Sequence, residues 1–313
     1  MRGETEHSTL QVDITNRQIL KIALPISLAL LVPQINFVTN NIFLGGLGEN
    51  ELGTAGITGV FYLIFALIGN GLNSGLQALM ARRAGQNLPH EMGKLYSQAI
   101  WIALGFSIAG IVITYLAAPL FLHASLQSSV IETQAIQFLQ IRIWGLPFLY
   151  LFQLSNAFLV SSNNSRYMKY AFIIEAGLNI FLDYGLIYGH FGLPRLGFNG
   201  AAAASVIAEI VAVTVVISII YARKFHLQFS LFKYWQYKKE LAMLYFRQSS
   251  PLIMQYLLSI VAWMLFYILI EHYGERPLAI SNTMRNIFGV FGIFIWAFAS
   301  TSNAMVSNII GQG

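Results

Sequence analysis

Pro25, Leu31, Ile42, Gly48, Glu49, Leu52, Phe65, Ser74, Ala78, Gly85 and Gln86 recur as Pro251, Leu257, Ile268, Gly274, Glu275, Leu278, Phe291, Ser300, Ala304, Gly311 and Gln312. Each pair has the same spacing, 251 − 25 = 226, with no gap. Both copies read as two long apolar spans joined by a short turn and closed by Gly-Gln. A fixed offset across apolar spans is the mark of parallel structural repeats in a transporter. The first copy runs on for well over a hundred residues before the second begins, and the second ends at Gly313. The expectation is therefore a two-lobed transporter whose second lobe is cut short.

Composition agrees with this. The 313 residues are 56% hydrophobic and only 10% charged, where soluble domains carry about 25%. A hydrocarbon core about 30 Å thick takes roughly 20 apolar helical residues. Eight such spans are expected, near 18–44, 54–81, 97–121, 131–161, 168–189, 199–222, 246–271 and 281–309. Backbone groups in lipid must be satisfied within the segment, so spans of this length are helices. The fold class is thus all-α membrane protein, with a complete six-helix lobe and the first two helices of a repeated second one. The expected division is a tail at 1–17, the first lobe at 18–222, a linker at 223–245 and the start of the second lobe at 246–313.

Alternate loops share a side of the membrane. One side holds Arg2, Arg17, Lys21, Arg82, Arg83, Lys94, Arg166, Lys169, Arg223, Lys224, Lys233, Lys238, Lys239 and Arg247, against Arg195 and Arg276 on the other. Lys/Arg excess marks the cytoplasmic face, so the chain is expected in the cell (inner) membrane as a multi-pass protein with both of its ends cytoplasmic. These charges flank apolar spans rather than clustering on a folded surface, so nucleic acid is not an expected partner. The partners are the lipid bilayer and a small organic solute. The segment 223–245 mixes Lys233, Lys238 and Lys239 with Phe225, Phe229, Trp235 and Tyr237, a composition suited to an amphipathic helix on the cytoplasmic interface. No phosphate-binding G-x-x-x-x-G-K-[ST] loop occurs, so ATP drive is not expected. There is no cysteine, and no histidine pair has metalloenzyme spacing. The chain does not read as an enzyme.

Ionisable groups within spans are costly unless they face a cavity or a partner. Glu175, Asn179 and Asp183 recur every four residues and form one polar stripe on a helix. Two carboxylates and an amide oxygen in a membrane interior can hold a proton or a bare Na⁺. Asn36, Thr39, Asn40 and Asn41 form a polar cluster in the first span, and Asn156 lies in the fourth beside Gln153 and Ser155. Arg142 and Arg285 are expected to pair with Glu132 or Glu271. Glu209 reads equally as a proton relay or as a neutral hydrogen-bonded acid. Pro25 and Pro33 in the first span and Pro147 in the fourth each remove one backbone hydrogen bond and permit a bend.

The run Asn179-Ile-Phe-Leu-Asp183-Tyr-Gly-Leu-Ile-Tyr-Gly189, followed by Gly192, Pro194, Gly197 and Gly200, resembles the fifth-to-sixth helix signature of the MATE (multidrug and toxic compound extrusion) transporters. The stretch Phe37-Val-Thr-Asn40-Asn-Ile-Phe-Leu-Gly45-Gly-Leu-Gly48 resembles that family's first-helix motif, and Gln77 to Gln86 the end of its second helix. The resemblance implies twelve helices in two lobes around a V-shaped cavity, exporting organic, often cationic, compounds against inward Na⁺ or H⁺, with no other cofactor. It implies a first-lobe cation site at the positions of Asn40, Asn156, Asn179 and Asp183. Asn40 departs from the usual acid there, and Glu175 is expected to restore the lost charge. Phe37, Tyr62 and Trp263 are expected to face the cavity, where rings can hold a cationic solute. A lipid-linked saccharide flippase of related two-lobe plan, or an inactive fragment, stand as alternatives.

Overall fold

The computed structural model describes residues 10–126 and 128–313. Among the described residues the chain forms α1 (Asn16–Gly45), α2 (Glu49–Gly85), α3 (Pro89–Ser125), α4 (Ser129–Arg142), α5 (Leu146–Ser161), α6 (Met168–Tyr188), α7 (Phe198–Ala222), α8 (Phe225–Gln228), α9 (Lys239–Glu271) and α10 (Glu275–Gln312). A 3₁₀ turn at Ile143–Gly145 joins α4 to α5, and together they make one span. The cause is Pro147, which has no N–H to continue the ladder back to Ile143. Eight long rods result, as the apolar spans predict. Seven are long and apolar enough to cross a membrane, and α1, with 30 residues, has the length as well.

The rods outrun the apolar spans because caps, not hydropathy, set their ends. Thr15 accepts from Gln18 N to start α1. Gly48 and Gly274, at φ 154° and 107°, make the turns that start α2 and α10. Those two glycines are repeat partners. So are the helices: α9 and α10 reproduce α1 and α2 at the same offset of 226.

The repeat also dictates packing at the centre. α9 lies on α2, and α1 lies on α10. α2 and α10 cross each other through reciprocal contacts. Gln77 Nε2 donates to the Ser300 carbonyl (2.6 Å), and Asn303 Nδ2 donates to the Ser74 carbonyl (3.1 Å). Ser300 is the repeat partner of Ser74, and Asn303 stands at the position equivalent to Gln77. Nearer the helix ends, a Cβ on Gly85 would fall on the Asn308 carbonyl, and one on Gly311 on the Arg82 carbonyl. Arg82 and Asn308 are again equivalent positions. A local two-fold relation therefore passes between α2 and α10, and small residues admit the close approach that drives helix association in lipid.

The end of the bundle carrying Arg17, Arg82, Arg166 and Arg223 is here termed the basic end. Residues 10–12 are seated there rather than trailing as a tail. Val12 N donates to Asn308 Oδ1 (3.1 Å), Asn308 Nδ2 to the Leu10 carbonyl (2.9 Å), and Gln312 Nε2 to the Val12 carbonyl (3.0 Å). Gln11 Nε2 reaches the Gly85 carbonyl on α2 (2.9 Å). The arm thus ties the last turns of α2 and α10 together. Asn308→Ala leaves a buried donor and acceptor unmatched, at about 1–3 kcal/mol. The expected result is at least tenfold faster hydrogen exchange at the Val12 amide, read by mass spectrometry.

The segment after α7 differs from the expected amphipathic helix. Only one turn, Phe225–Gln228, is helical. Lys224, Ser230 and Phe232 take left-handed backbone at φ 57°, 53° and 63°, which ends a helix. Two of its aromatics turn inward, Phe225 and Phe229 being buried against Phe158, while Trp235 and Tyr237 stay exposed. Trp101 Nε1 donates to the Trp235 carbonyl, and Gln98 bonds Gln236 O and Lys238 N. The segment is therefore fastened along α3.

Candidate functional site

The acidic stripe lies on α6, between α1 and α7. α1 runs parallel to α6. At the basic end Gln18 Nε2 donates to Asn163 Oδ1 (3.1 Å), just before α6 begins. At the other end Phe43 meets the rings of Tyr184 and Tyr188, and Tyr188 Oη donates to the Phe43 carbonyl (2.7 Å). Both helices rise 1.5 Å per residue, so Asn40 comes level with Asp183 and Asn36 with Asn179.

Asp183 is 0% exposed, and neither carboxylate oxygen has a hydrogen-bond partner. Asn179 is 3% exposed and gives one long bond, Nδ2 to Ser205 Oγ on α7 (3.4 Å). On the facing helix, Asn36 Oδ1 and Asn40 Oδ1 are also buried without a partner. Buried polar groups are ordinarily satisfied. Unpartnered acceptor oxygens thus lie at two successive levels of the α1–α6 seam, Asn36 at the level of Asn179 and Asn40 at that of Asp183. A proton or a cation would satisfy the two Asp183 oxygens. Among the described residues no three His, Cys, Asp or Glu side chains converge to hold a metal ion. A sodium ion at Asp183 would therefore draw on the amide oxygens of α1.

Glu175 stands two turns nearer the basic end, roughly 12 Å along the helix. Its Oε2 is buried and unpartnered. α7 runs antiparallel to α6: Leu196 N donates to the Leu186 carbonyl (2.7 Å), and Asn179 meets Ser205. That register brings Glu209 level with Glu175. Glu209, 6% exposed, is held by Arg142, with Nη1 donating to Oε2 (2.9 Å) and Nη2 to Oε1 (2.5 Å). The guanidinium lies 3.9 Å from the centre of the Tyr62 ring. Arg142 thus pairs across to α7, not with Glu132, which instead meets His123 at 3.1 Å. The expected pairing fails because it would keep both partners on α4, whereas the 3₁₀ turn next to Arg142 opens a path to α7.

The other sequence-derived residues fall as follows. Asn156 is half-buried on α5, and among the described residues no hydrogen bond joins it to the stripe. Tyr62 carries the Arg142 guanidinium on its ring, so that face is taken. Trp263 is 53% exposed and stacks on Tyr267. The side chains of Phe37, Arg285 and Glu271 lie outside the described residues. A hollow of about 590 Å³ beside Tyr115, Gln137, Trp144 and Asn199 opens between α3, α4 and α7 and contains none of the stripe. The Arg142–Glu209 pair escapes sequence reasoning. Its only signal is that one basic and one acidic residue in separate spans both lack a local partner.

Residues 25–185 match the family model MatE. The probable multidrug resistance protein NorM of Synechocystis sp. is 28% identical over 69% of this chain and 47% of its own length. The multidrug resistance protein NorM of Burkholderia vietnamiensis is 30% identical over 60% of this chain and 40% of its own. The chain therefore spans less than half the length of these two relatives. Among solved structures, a MOP superfamily transporter from Pyrococcus furiosus superposes with a TM-score of 0.88 at 17% identity, covering 97% of this chain and 66% of that one. For that protein a reverse polarity of the binding pocket is said to suggest a different function. A MATE in complex with MaL6 gives the same TM-score at 17% identity over 97% of this chain and 67% of its own. At these identities the structures speak to the fold.

Proposed function

The chain belongs to the MatE family, and from that premise we propose that it acts in a secondary antiporter exporting organic, cationic compounds in exchange for Na⁺ or H⁺. The family is one of transporters rather than enzymes. The observation that carries the reading is Asp183, wholly buried with both oxygens unpartnered, level with the unpartnered amide oxygen of Asn40. The basic end is cytoplasmic, and the membrane is the inner one. Helices α1 to α7 form a first lobe, and α9 begins the second.

Antiport needs only that cation and solute prefer different conformations. α1 is the element that transmits the preference. It packs on both α6, the helix of the acids, and α10. A cation binding Asp183 and Asn40 draws α1 towards α6 and so works against its seat on α10. Glu175 supplies the negative charge that Asn40 lacks, two turns nearer the basic end. The flippase reading requires basic groups free to hold a pyrophosphate, and Arg142 is committed to Glu209.

The test is dye movement in vesicles carrying the full chain, driven by a Na⁺ or pH gradient. Glu175→Gln is expected to slow gradient-driven export by about tenfold or more, equivalent to ~1.4 kcal/mol of lost coupling. Unchanged coupling in that variant would remove Glu175 from the loading site.

A further inference from the structure

Glu209 and Arg142 play no part in the loading described above, yet they stand level with one of its acids. The guanidinium is in electrostatic reach of three carboxylates, Glu209, Glu175 and Asp183, and of the last two it is Glu175 that stands level with Glu209. The fold gives it to one of them. Both Glu209 oxygens are bridged by Nη1 and Nη2, a fork-to-fork pairing, while Glu175 Oε2 has no partner. Two further features hold the guanidinium in place. Tyr62 backs it at 3.9 Å. Gly145, in the 3₁₀ turn, leaves the space the pair occupies: a Cβ there would fall on Glu209 Oε2 and crowd Arg142 Nη1.

A guanidinium tethered at the level of Glu175 is a permanent competitor for any mobile cation. If it bridged Glu175, that acid would be neutralised in every state of the protein and could not load or release anything. We propose that Glu209 is a positioning residue for coupling: it holds Arg142 off Glu175 and so keeps Glu175 open to the transported cation. This rests on the reading that Glu175 is a loading acid. It makes the ion pair a device for keeping another group free, where a merely structural pair would leave Glu175 indifferent to it.

The test is labelling of the full chain in membranes with N,N′-dicyclohexylcarbodiimide, located by mass spectrometry. The reagent takes up a protonated carboxyl in an apolar setting, and an acid bridged to a guanidinium is protected from it. Glu175 in the unaltered chain is expected to label, with Na⁺ slowing that labelling if Na⁺ is the coupling ion and a rise in pH slowing it if H⁺ is. Glu209→Gln is expected to cut labelling at Glu175 at least tenfold, because Arg142 moves to the remaining charge. Arg142→Met with Glu209→Gln is expected to restore it, which also shows that the single variant's loss is not misfolding. Labelling of Glu175 in Glu209→Gln at the unaltered rate would overturn the proposal, as would a double variant that stays unlabelled. An unaltered chain labelled at Asp183 but not at Glu175 would remove the proposal while leaving Asp183 as the loading acid. One labelled at neither would remove both.

Discussion

Asp183→Asn is expected to abolish gradient-driven export while leaving the protein at least as stable as before. The two halves of this expectation have one cause. A carboxylate with 0% exposure and no partner on either oxygen is a burden on the fold. Leaving a buried polar group unsatisfied costs about 1–3 kcal/mol, more when it is charged. An amide of the same shape removes the charge and keeps the volume. In cation-free detergent the thermal midpoint of the variant should match or exceed that of the unaltered chain, and added coupling cation should raise only the latter. In vesicles the variant should show no export above the leak. A drop in stability of several kcal/mol would instead mean that Asp183 is part of the scaffold.

The second large effect concerns the crossing of α2 and α10. Gly85→Val is expected to force the two helices apart, and Gly311→Val to do the same by the same amount. In each case the new side chain meets a backbone carbonyl, of Asn308 or of Arg82, and a backbone cannot step aside as a flexible side chain can. Overpacking costs typically 1–3 kcal/mol, and both variants should lie at the upper end of that range. Gly105→Ala and Gly177→Ala are the controls, since nothing lies within 4 Å of a Cβ at either site. The chain has no cysteine, so a Ser74→Cys, Asn303→Cys pair can report the crossing directly. Its disulfide yield should fall sharply with either valine and stay constant with either alanine. Unequal effects of Gly85→Val and Gly311→Val would contradict the local two-fold relation.

Much of this architecture was legible in the residues. Apolar length gave the eight rods, and the 226-residue offset foretold that α9 and α10 copy α1 and α2. The reciprocal bonds of Gln77 and Asn303 are a consequence of that offset which no reading of composition would reach alone. The stripe of Glu175, Asn179 and Asp183 followed from helical spacing. Which neighbours face it did not, because that depends on the phase and register of α1 and α7. The Arg142–Glu209 pair was hidden for the same reason: its partners are 67 residues apart and sit on separate helices. The 3₁₀ turn beside Arg142 was signalled by Pro147. The segment 223–245 misled because its aromatics and lysines have an interfacial composition, whereas its conformation is set by left-handed Lys224, Ser230 and Phe232, none of them glycine. The arm at residues 10–12 had a fainter signal. Asn308 stands where the repeat has Arg82, and that amide-for-charge exchange marks the place where the arm docks.

The most direct test of the account is cation uptake by the purified full chain, measured as bound radioactive sodium and as protons taken up, with and without Asp183→Asn. The account predicts saturable uptake of one of these cations by the unaltered chain and its loss in the variant. Equal uptake by the two proteins would contradict it, since the buried oxygens of Asp183 would then have no part in holding the charge.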